Sequence, residues 1–197
     1  MTEAPGLEAY AAKYLAEARS ALDGPYLLDA ARRIVPILIE AREKRRTVFF
    51  CGNGGSSSTA SHFVTDISKV ATRGDGRPIR CVGLSDNTPS LTAIANDRDY
   101  SRIFVDQLTT LAERGDVLVA ISGSGNSPNV LEAVRAARSM GLSTIGLTGI
   151  GGGKLKEIVD VPLVVPTNSM QHTEDTHVIL LHLLTAYLRD EGPVTKR

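Results

Sequence analysis

The stretch Val117-Leu-Val-Ala-Ile-Ser-Gly-Ser-Gly-Asn-Ser-Pro128 shows how this chain is organised, because a short apolar run leads directly into a loop of serines and glycines. The run does not alternate with polar residues, as is typical of a strand covered on both faces of a parallel sheet. Pro128 then suits the first position of a helix, where a missing amide hydrogen costs no helical bond. The stretch therefore predicts a strand, a turn and a helix.

The same order of elements returns along the chain. Thr47 to Cys51 leads into Gly52-Asn53-Gly54-Gly55, and Thr144 to Thr148 leads into a triple glycine that we interpret as a loop or helix cap. Two further strands are expected at Ile79 to Leu84 and Val161 to Val165. Strands that alternate with helices predict an α/β fold whose ligands bind at the carboxyl ends of the strands. Helices are expected at 7–22, 26–42, 56–69, 100–112, 128–140 and 170–189.

The length of 197 residues suits one domain over 1–197. We expect N-terminal helices at about 7–42, the sheet with its loops at about 47–166, and a C-terminal helix at about 170–189. The 22 basic and 22 acidic residues cancel, so no bulk field recruits nucleic acid or a membrane. The chain also shows neither a secretion signal nor an apolar span of ~20 residues. Cys51 and Cys81 are expected to be reduced thiols in a cytoplasmic protein.

The serine loop, residues 122–127, is a candidate phosphate site. Free amides at the start of the following helix attract an anion, and the serine hydroxyls add further donors. The loop contains no lysine or arginine, which favours a phosphosugar over a nucleoside triphosphate. The alternative is a tight turn in which Ser127 caps the helix.

The glycine turn, residues 52–55, is a second candidate surface, because its glycines permit positive φ and a close approach to a ligand. The spacing differs from the dinucleotide fingerprint, so we expect no nicotinamide cofactor.

Two pairs of polar residues on separate helices form a candidate metal or acid/base site. His62 and Asp66 are four residues apart, and Glu174 and His182 are eight apart, so each pair shares one helix face. Two imidazoles and two carboxylates suit a tetrahedral zinc site or a general acid/base set.

Each of these residues also has a purely structural interpretation. His182 lies in an apolar run, which is typical of a core histidine with a hydrogen-bond partner, and the two acids are typical of solvated helix faces. His172 and His177 are expected to be surface-like or supporting residues without a chemical role. Asn96-Asp97 is expected to form a turn.

Several motifs in register, from about residue 7 to 190, resemble the phosphoheptose isomerases of the sugar isomerase (SIS) class. The matching stretches are Cys51-Gly-Asn-Gly-Gly-Ser56, His62-Phe63, Leu91-Thr-Ala-Ile-Ala-Asn-Asp97, Gly115-Asp-Val-Leu-Val-Ala-Ile-Ser122, Ser124-Gly-Asn-Ser127 and Leu147-Thr-Gly-Ile-Gly-Gly-Gly-Lys154.

The resemblance implies a three-layer α-β-α sandwich with a five-stranded parallel sheet (the SIS fold) and extra N-terminal helices. It also implies a homotetramer with active sites between subunits, which interconverts sedoheptulose 7-phosphate and D-glycero-D-manno-heptose 7-phosphate. Phosphate contacts would fall on Ser122, Gly123, Ser124 and Ser127, and sugar contacts on Asn53, Gly54, Gly55, Asn96 and Asp97, with Asp66 and Glu174 also in reach of the substrate.

The resemblance further places one zinc ion per subunit on His62, Asp66, Glu174 and His182. Asp66 would be the catalytic base and His182 the acid, with Glu174 as a rival base. The family generally has glutamate where this chain has Asp66 and glutamine where it has Glu174. We interpret the exchanged pair as a rearranged site, because two histidines and two carboxylates suit zinc.

Two other functions are compatible with this sequence. One is a non-catalytic SIS protein that senses a phosphosugar or associates with a replication initiator, and the other is an isomerase for another phosphosugar. Asp66, Glu174 and His182 together favour an enzyme, because a binding module has no use for an acid/base set.

Overall fold

The computed structural model describes residues 6–71 and 76–192. At its centre lies a parallel sheet of five strands in the order β2-β1-β3-β4-β5. The expected α/β fold with a five-stranded parallel sheet is confirmed. The strands are β1 Thr47–Gly52, β2 Arg80–Gly83, β3 Val117–Ile121, β4 Ser143–Thr148 and β5 Val161–Val164.

The helices begin and end close to where the apolar spacing predicts them, with exceptions between residues 88 and 112 and at the short helix α7, which was not expected. The helices are α1 Leu7–Leu22, α2 Tyr26–Glu43, α3 Gly55–Lys69, α4 Thr88–Asp97, α5 Val105–Leu111, α6 Pro128–Met140, α7 Leu155–Ile158 and α8 Met170–Asp190, with a 3₁₀ turn at Tyr100–Arg102.

Successive residues of each strand point to opposite faces of the sheet and meet different helices. Phe50 belongs to the core shared with α2, α3 and α8, whereas its neighbour Phe49 belongs to the core shared with α5, α6 and α7. Phe50 also stacks on Phe63 of α3 at 5.6 Å between ring centroids. Because strands β1, β3 and β4 are almost wholly buried, the sheet forms the middle layer of a three-layer sandwich.

Two expectations for the segment from residue 88 to 112 are wrong. Asn96-Asp97 is not a turn but forms the last two residues of α4. Asn87 is the N-cap of this helix, and its side chain accepts a hydrogen bond from the amide of Ser90. The helix expected over 100–112 is divided into a 3₁₀ turn and the short helix α5, with buried Ile103 and Phe104 between them.

The sheet topology determines where a ligand binds. From β1 the chain moves to β2 at one edge, and then returns to β3 on the other side of β1. In such open sheets the crevice lies where the strand order reverses, outside the carboxyl ends of the strands. Gly52 pairs with Ile121 across β1 and β3, so the glycine turn and the serine loop start side by side.

Within the described ranges, no helix combines the length and the apolar character that crossing a membrane requires.

Candidate active site

The serine loop is a compact turn between β3 and α6. Ser122 is buried, and its Oγ lies 3.1 Å from Oγ of Ser127. The hydroxyl of Ser127 makes no capping bond to the first turn of α6, although Ser127 is the N-cap residue. The hydroxyl of Ser124 instead accepts the amide of Asn126 at 3.2 Å. The Ser127 side chain therefore leaves the start of α6 uncapped. Pro128 has no amide hydrogen and the amide of Val130 donates to Oδ1 of Asn129, so among the described residues the backbone amide of Asn129 is the one left without an acceptor in this first turn.

The triple glycine at 151–153 is a loop, as expected, and it lies directly behind the serine loop. The amide of Leu155 donates to the carbonyl of Gly125 at 2.9 Å, and the amide of Lys154 donates to Oδ1 of Asn126 at 3.2 Å. A Cβ on Gly125 would overlap the carbonyl oxygen of Gly152. The two loops are thus in backbone contact, which fixes the shape of the serine loop.

The glycine turn leads into α3 with Gly54 at φ 54°. Glu174, on α8, lies against its end, because a Cβ on Gly55 would come within 2.5 Å of Oε1 of Glu174. A carboxylate at the first turn of a helix is stabilised by the helix dipole, typically by 0.3–1 kcal/mol. This contact holds the Glu174 carboxylate beside the glycine turn.

The two loops enclose a cavity of about 300 Å³, which we call the switch-point cavity. Three of the residues expected to contact substrate do not line it. Asp66 lies farther along α3, and Asn96 and Asp97 lie at the exposed end of α4, where Nδ2 of Asn96 donates to Oδ1 of Asp97. The lining residues are Asn53, Gly54, Gly55, Ser56, Ile121, Ser122, Gly123, Ser124, Ser127, Met170 and Glu174.

A larger cavity of about 580 Å³ lies between α4 and α5 and includes Asp97. Its arginines, Arg98 and Arg102, are both paired with Asp106. We regard the smaller cavity as the binding site, because it lies at the switch point of the sheet and is lined by neutral hydroxyl and carboxamide groups.

Asn53 of the switch-point cavity belongs to a hydrogen-bonded network that sequence reasoning missed. Its carboxamide exchanges two hydrogen bonds with that of Asn129, at 2.9 and 2.8 Å, and its Oδ1 accepts the hydroxyl of Tyr100 at 3.1 Å. Asn129 is separated from Asn53 by 76 residues, so no local spacing connects them. The available signal was a polar residue immediately after Ser127-Pro128, in the first turn of the helix that follows the serine loop.

His62, Asp66 and His182 come together between α3 and α8. Oδ2 of Asp66 lies 3.3 Å from Nε2 of His62 and 3.9 Å from Nε2 of His182, and one potential ligand atom from each of the three lies within 4.8 Å of the others. Two ligands about 2 Å from zinc in a tetrahedral shell stand roughly 3.3 Å apart. The distance from Asp66 to His62 matches this spacing, and the distance from Asp66 to His182 exceeds it by about 0.6 Å. Small side-chain rotations would therefore let two imidazoles and a carboxylate hold a zinc ion, with one position left open. His182 is exposed and does not lie in the core.

Glu174 does not join this triad within one chain. It is eight residues before His182 on α8, which corresponds to about 12 Å along the helix axis. The structure therefore brings His62, Asp66 and His182 together and places Glu174 in the switch-point cavity.

His172 and His177 are buried, so of the two alternatives expected for them, surface-like or supporting residues, the first is wrong. His172 packs its ring on Tyr14 of α1, with 4.4 Å between centroids. Nε2 of His177 lies 3.2 Å from the carbonyl oxygen of Thr148 at the end of β4. Burial lowers the pKa of His177 to about 4, so the ring is neutral and Nε2 donates this bond.

The fold and the site define a class. A family model described as the SIS domain matches residues 13–149, and the chain therefore belongs to the SIS domain family.

Phosphoheptose isomerases are among its relatives. The enzyme of Aliarcobacter butzleri is 40% identical over 156 residues, covering 79% of this chain and 82% of the relative. The structure of the phosphoheptose isomerase from Neisseria gonorrhoeae superposes with a TM-score of 0.85 at 32% identity, covering 92% of this chain and 98% of that one. The structure from Francisella tularensis gives a TM-score of 0.83 at 26% identity, covering 94% and 98%.

Proposed function

We propose that this protein is an aldose-ketose isomerase that interconverts sedoheptulose 7-phosphate and D-glycero-D-manno-heptose 7-phosphate. The observation that carries the proposal is the pairing of a cavity lined by neutral donors with an assembled His62, Asp66 and His182 triad. Its relatives named phosphoheptose isomerase support the same reaction, since they match most of the chain.

In this proposal the phosphate lies in the serine loop. The hydroxyls of Ser122, Ser124 and Ser127 and the backbone amide of Asn129 at the start of α6 are its donors, and Gly123 lets the backbone come close. Asn53, Gly54 and Gly55 contact the sugar from the opposite side of the cavity. Asn96 and Asp97 lie outside this cavity in the same chain, so their proposed contact with the sugar requires a neighbouring subunit.

The reaction moves a hydrogen between two adjacent carbons through an enediolate. A carboxylate removes a proton from C1 of the ketose, and the electron pair of that C–H bond forms the C1=C2 bond as the carbonyl oxygen at C2 takes up charge. His182 supplies a proton to that oxygen and accepts one from the hydroxyl at C1. The carboxylate then returns its proton to C2, which gives the aldose. Asp66 is the base in this assignment, with Glu174 as its rival because Glu174 lines the cavity.

Zinc is the metal that we assign to His62, Asp66 and His182, with Glu174 as a fourth ligand from another subunit. When bound, a zinc ion polarises a carbonyl group and stabilises negative charge on its oxygen.

A homotetramer with active sites between subunits accounts for the separation of Glu174 from the triad. Ile179, Leu183 and Tyr187 are exposed at four-residue intervals on α8 and flank His182. An apolar stripe of this kind is typical of an interface. Packing this face against another copy would bring a second set of site residues next to the triad.

Incubation of the purified protein with sedoheptulose 7-phosphate, followed by NMR, tests the proposal directly. We expect the aldose 7-phosphate to accumulate, and Asp66→Asn and His182→Ala to lower kcat by about 10²- to 10⁴-fold. Glu174→Gln tests the rival base: a comparable loss of kcat in this variant, with Asp66→Asn still active, would make Glu174 the base. Binding without turnover would indicate a phosphosugar sensor, and turnover of other phosphosugars alone would indicate a different isomerase.

A further inference from the structure

Asn129 lies buried in the first turn of α6, where its neighbours determine which way its carboxamide faces. Its Oδ1 accepts the amide of Val130 at 3.0 Å, and a backbone amide can only donate. The residue is 2% exposed, so the opposite orientation would leave that amide facing an NH2 group without water to relieve it. The backbone therefore fixes the positions of the oxygen and the nitrogen of Asn129.

The orientation of the Asn129 carboxamide determines that of the Asn53 carboxamide. Since Oδ1 of Asn129 must accept, the atom of Asn53 that lies 2.9 Å away is the donor Nδ2. Oδ1 of Asn53 then faces Nδ2 of Asn129 at 2.8 Å, and it also accepts the hydroxyl of Tyr100. A carboxamide oxygen has two lone pairs, so both acceptor positions of Asn53 are occupied.

The amide nitrogen of Asn53, Nδ2, carries two hydrogens. It donates one of them to Oδ1 of Asn129, and among residues 6–71 and 76–192 no acceptor for the second is present. Asn53 lines the switch-point cavity, so the remaining N–H is available to a ligand there. The network converts a side chain that can donate or accept into one that can only donate.

We infer that Asn129 and Tyr100 are positioning residues, which hold Asn53 as an N–H donor to a hydroxyl or carbonyl oxygen of the bound phosphosugar. The inference rests on the proposed function, which assigns Asn53 to the sugar. Tyr100 is 59% exposed, so a hydrogen bond to Asn53 gives this otherwise solvated ring a defined place at the rim of the site.

The test is a double-mutant cycle on turnover of sedoheptulose 7-phosphate. Asn129→Asp keeps the shape of the side chain but sets a carboxylate oxygen against Oδ1 of Asn53, and we expect kcat/KM to fall by about 10- to 100-fold. Tyr100→Phe removes one of the two bonds to that oxygen and should cost about three- to tenfold. In an Asn53→Ala background each change should have less than about a twofold effect, because both act through the missing amide.

The matched control is Tyr10→Phe, a tyrosine on α1 that is also 59% exposed and has no part in the site. It should retain wild-type kcat/KM. If Asn129→Asp fails to fold by circular dichroism, Tyr100→Phe carries the cycle alone, since its ring is largely outside the core.

The inference is overturned if both single variants retain full activity, or if their losses persist unchanged in the Asn53→Ala background. Calorimetric titration with sedoheptulose 7-phosphate separates this result from a failure of the proposed function. A wild-type protein that binds the sugar without turnover would reject the isomerase, and the same cycle would then be measured on Kd. A wild-type protein that does not bind it would reject both.

Discussion

Gly125 and Gly151 have positive φ angles of 64° and 79°, but their surroundings differ. A Cβ on Gly125 would overlap the backbone of the loop behind it, whereas a Cβ on Gly151 would meet no atom within 4 Å. We expect Gly151→Ala to lower the free energy of unfolding by about 1 kcal/mol, from the left-handed backbone alone. Gly125→Ala should cost about 3 kcal/mol or more, because strain and overlap add. Chemical denaturation measures the free energy of unfolding of both variants. Equal losses would contradict the close contact between Gly125 and the backbone of the triple-glycine loop.

The triad predicts how zinc responds to single substitutions. His62→Ala and His182→Ala each remove one of the ligand atoms that lie together, and zinc content after dialysis should fall from near stoichiometric to a small fraction. Thr65→Ala, on the same helix but outside the triad, should retain the metal. Elemental analysis gives the answer, and full retention by both histidine variants would reject the site.

Glu174→Gln in the same measurement tests the fourth ligand. Within one chain Glu174 lies beside Gly55 and far along α8 from His182. Loss of zinc from this variant would therefore require Glu174 of another copy to reach the triad. Retention of zinc by Glu174→Gln would show that Glu174 is not a zinc ligand and acts only in the switch-point cavity.

At the scale of elements, His177 connects α8 to the sheet. Its ring donates to the last residue of β4, and burial lowers its pKa to about 4 from the ordinary 6.5. Between these values the unfolded chain binds a proton that the folded chain does not, so stability falls as the pH drops from about 6.5 towards 4. The loss from this one residue amounts to roughly 3 kcal/mol.

His177→Gln keeps a donor towards Thr148 but cannot be protonated. We expect denaturation midpoints of this variant to change less between pH 7 and pH 4.5 than those of the wild type. Thr65→Ala is the control, because Thr65 is exposed and has no titratable side chain, so this variant should keep the pH dependence of the wild type. Identical pH dependence in wild type and His177→Gln would contradict the assignment.

The sequence predicts most elements because their signal is local. The five strands are short apolar runs, and α6 begins at Pro128 as expected. Helix α4 was not predicted because none of its residues is buried, so its apolar pattern is weak. The division at Ile103 and Phe104 depends on how these two residues reach the core, which spacing cannot show.

The site was predicted less evenly than the fold. The i and i+4 spacing correctly placed His62 beside Asp66, and the motifs led to the serine loop and glycine turn that line one cavity. Burial of His172 and His177 was missed, because the apolar residues of α8 do not reveal which face meets α1 or β4. Asn129 and Tyr100 were missed because their bonds to Asn53 exist only in the folded chain.

At the scale of the whole molecule, the exposed stripe of Ile179, Leu183 and Tyr187 predicts that assembly and activity depend on each other. Leu183→Glu places a charge in this stripe, and we expect it to dissociate the proposed tetramer and lower kcat/KM at least about tenfold. Light scattering coupled to size exclusion measures the mass. Leu111→Glu is the control, since Leu111 is also exposed but belongs to α5 on the opposite layer. An active monomer of Leu183→Glu would show that one chain suffices.

The switch-point cavity has no lysine or arginine among its lining residues, and its one ionisable side chain is the acid Glu174. Mobile ions weaken attraction between full charges over a Debye length of about 8 Å at physiological ionic strength, but they hardly affect close hydrogen bonds from hydroxyls and amides. The Michaelis constant should therefore stay nearly level as sodium chloride is raised, where a site built on cations would lose affinity. A site that binds a phosphate through neutral donors therefore retains its affinity for the substrate in a concentrated electrolyte.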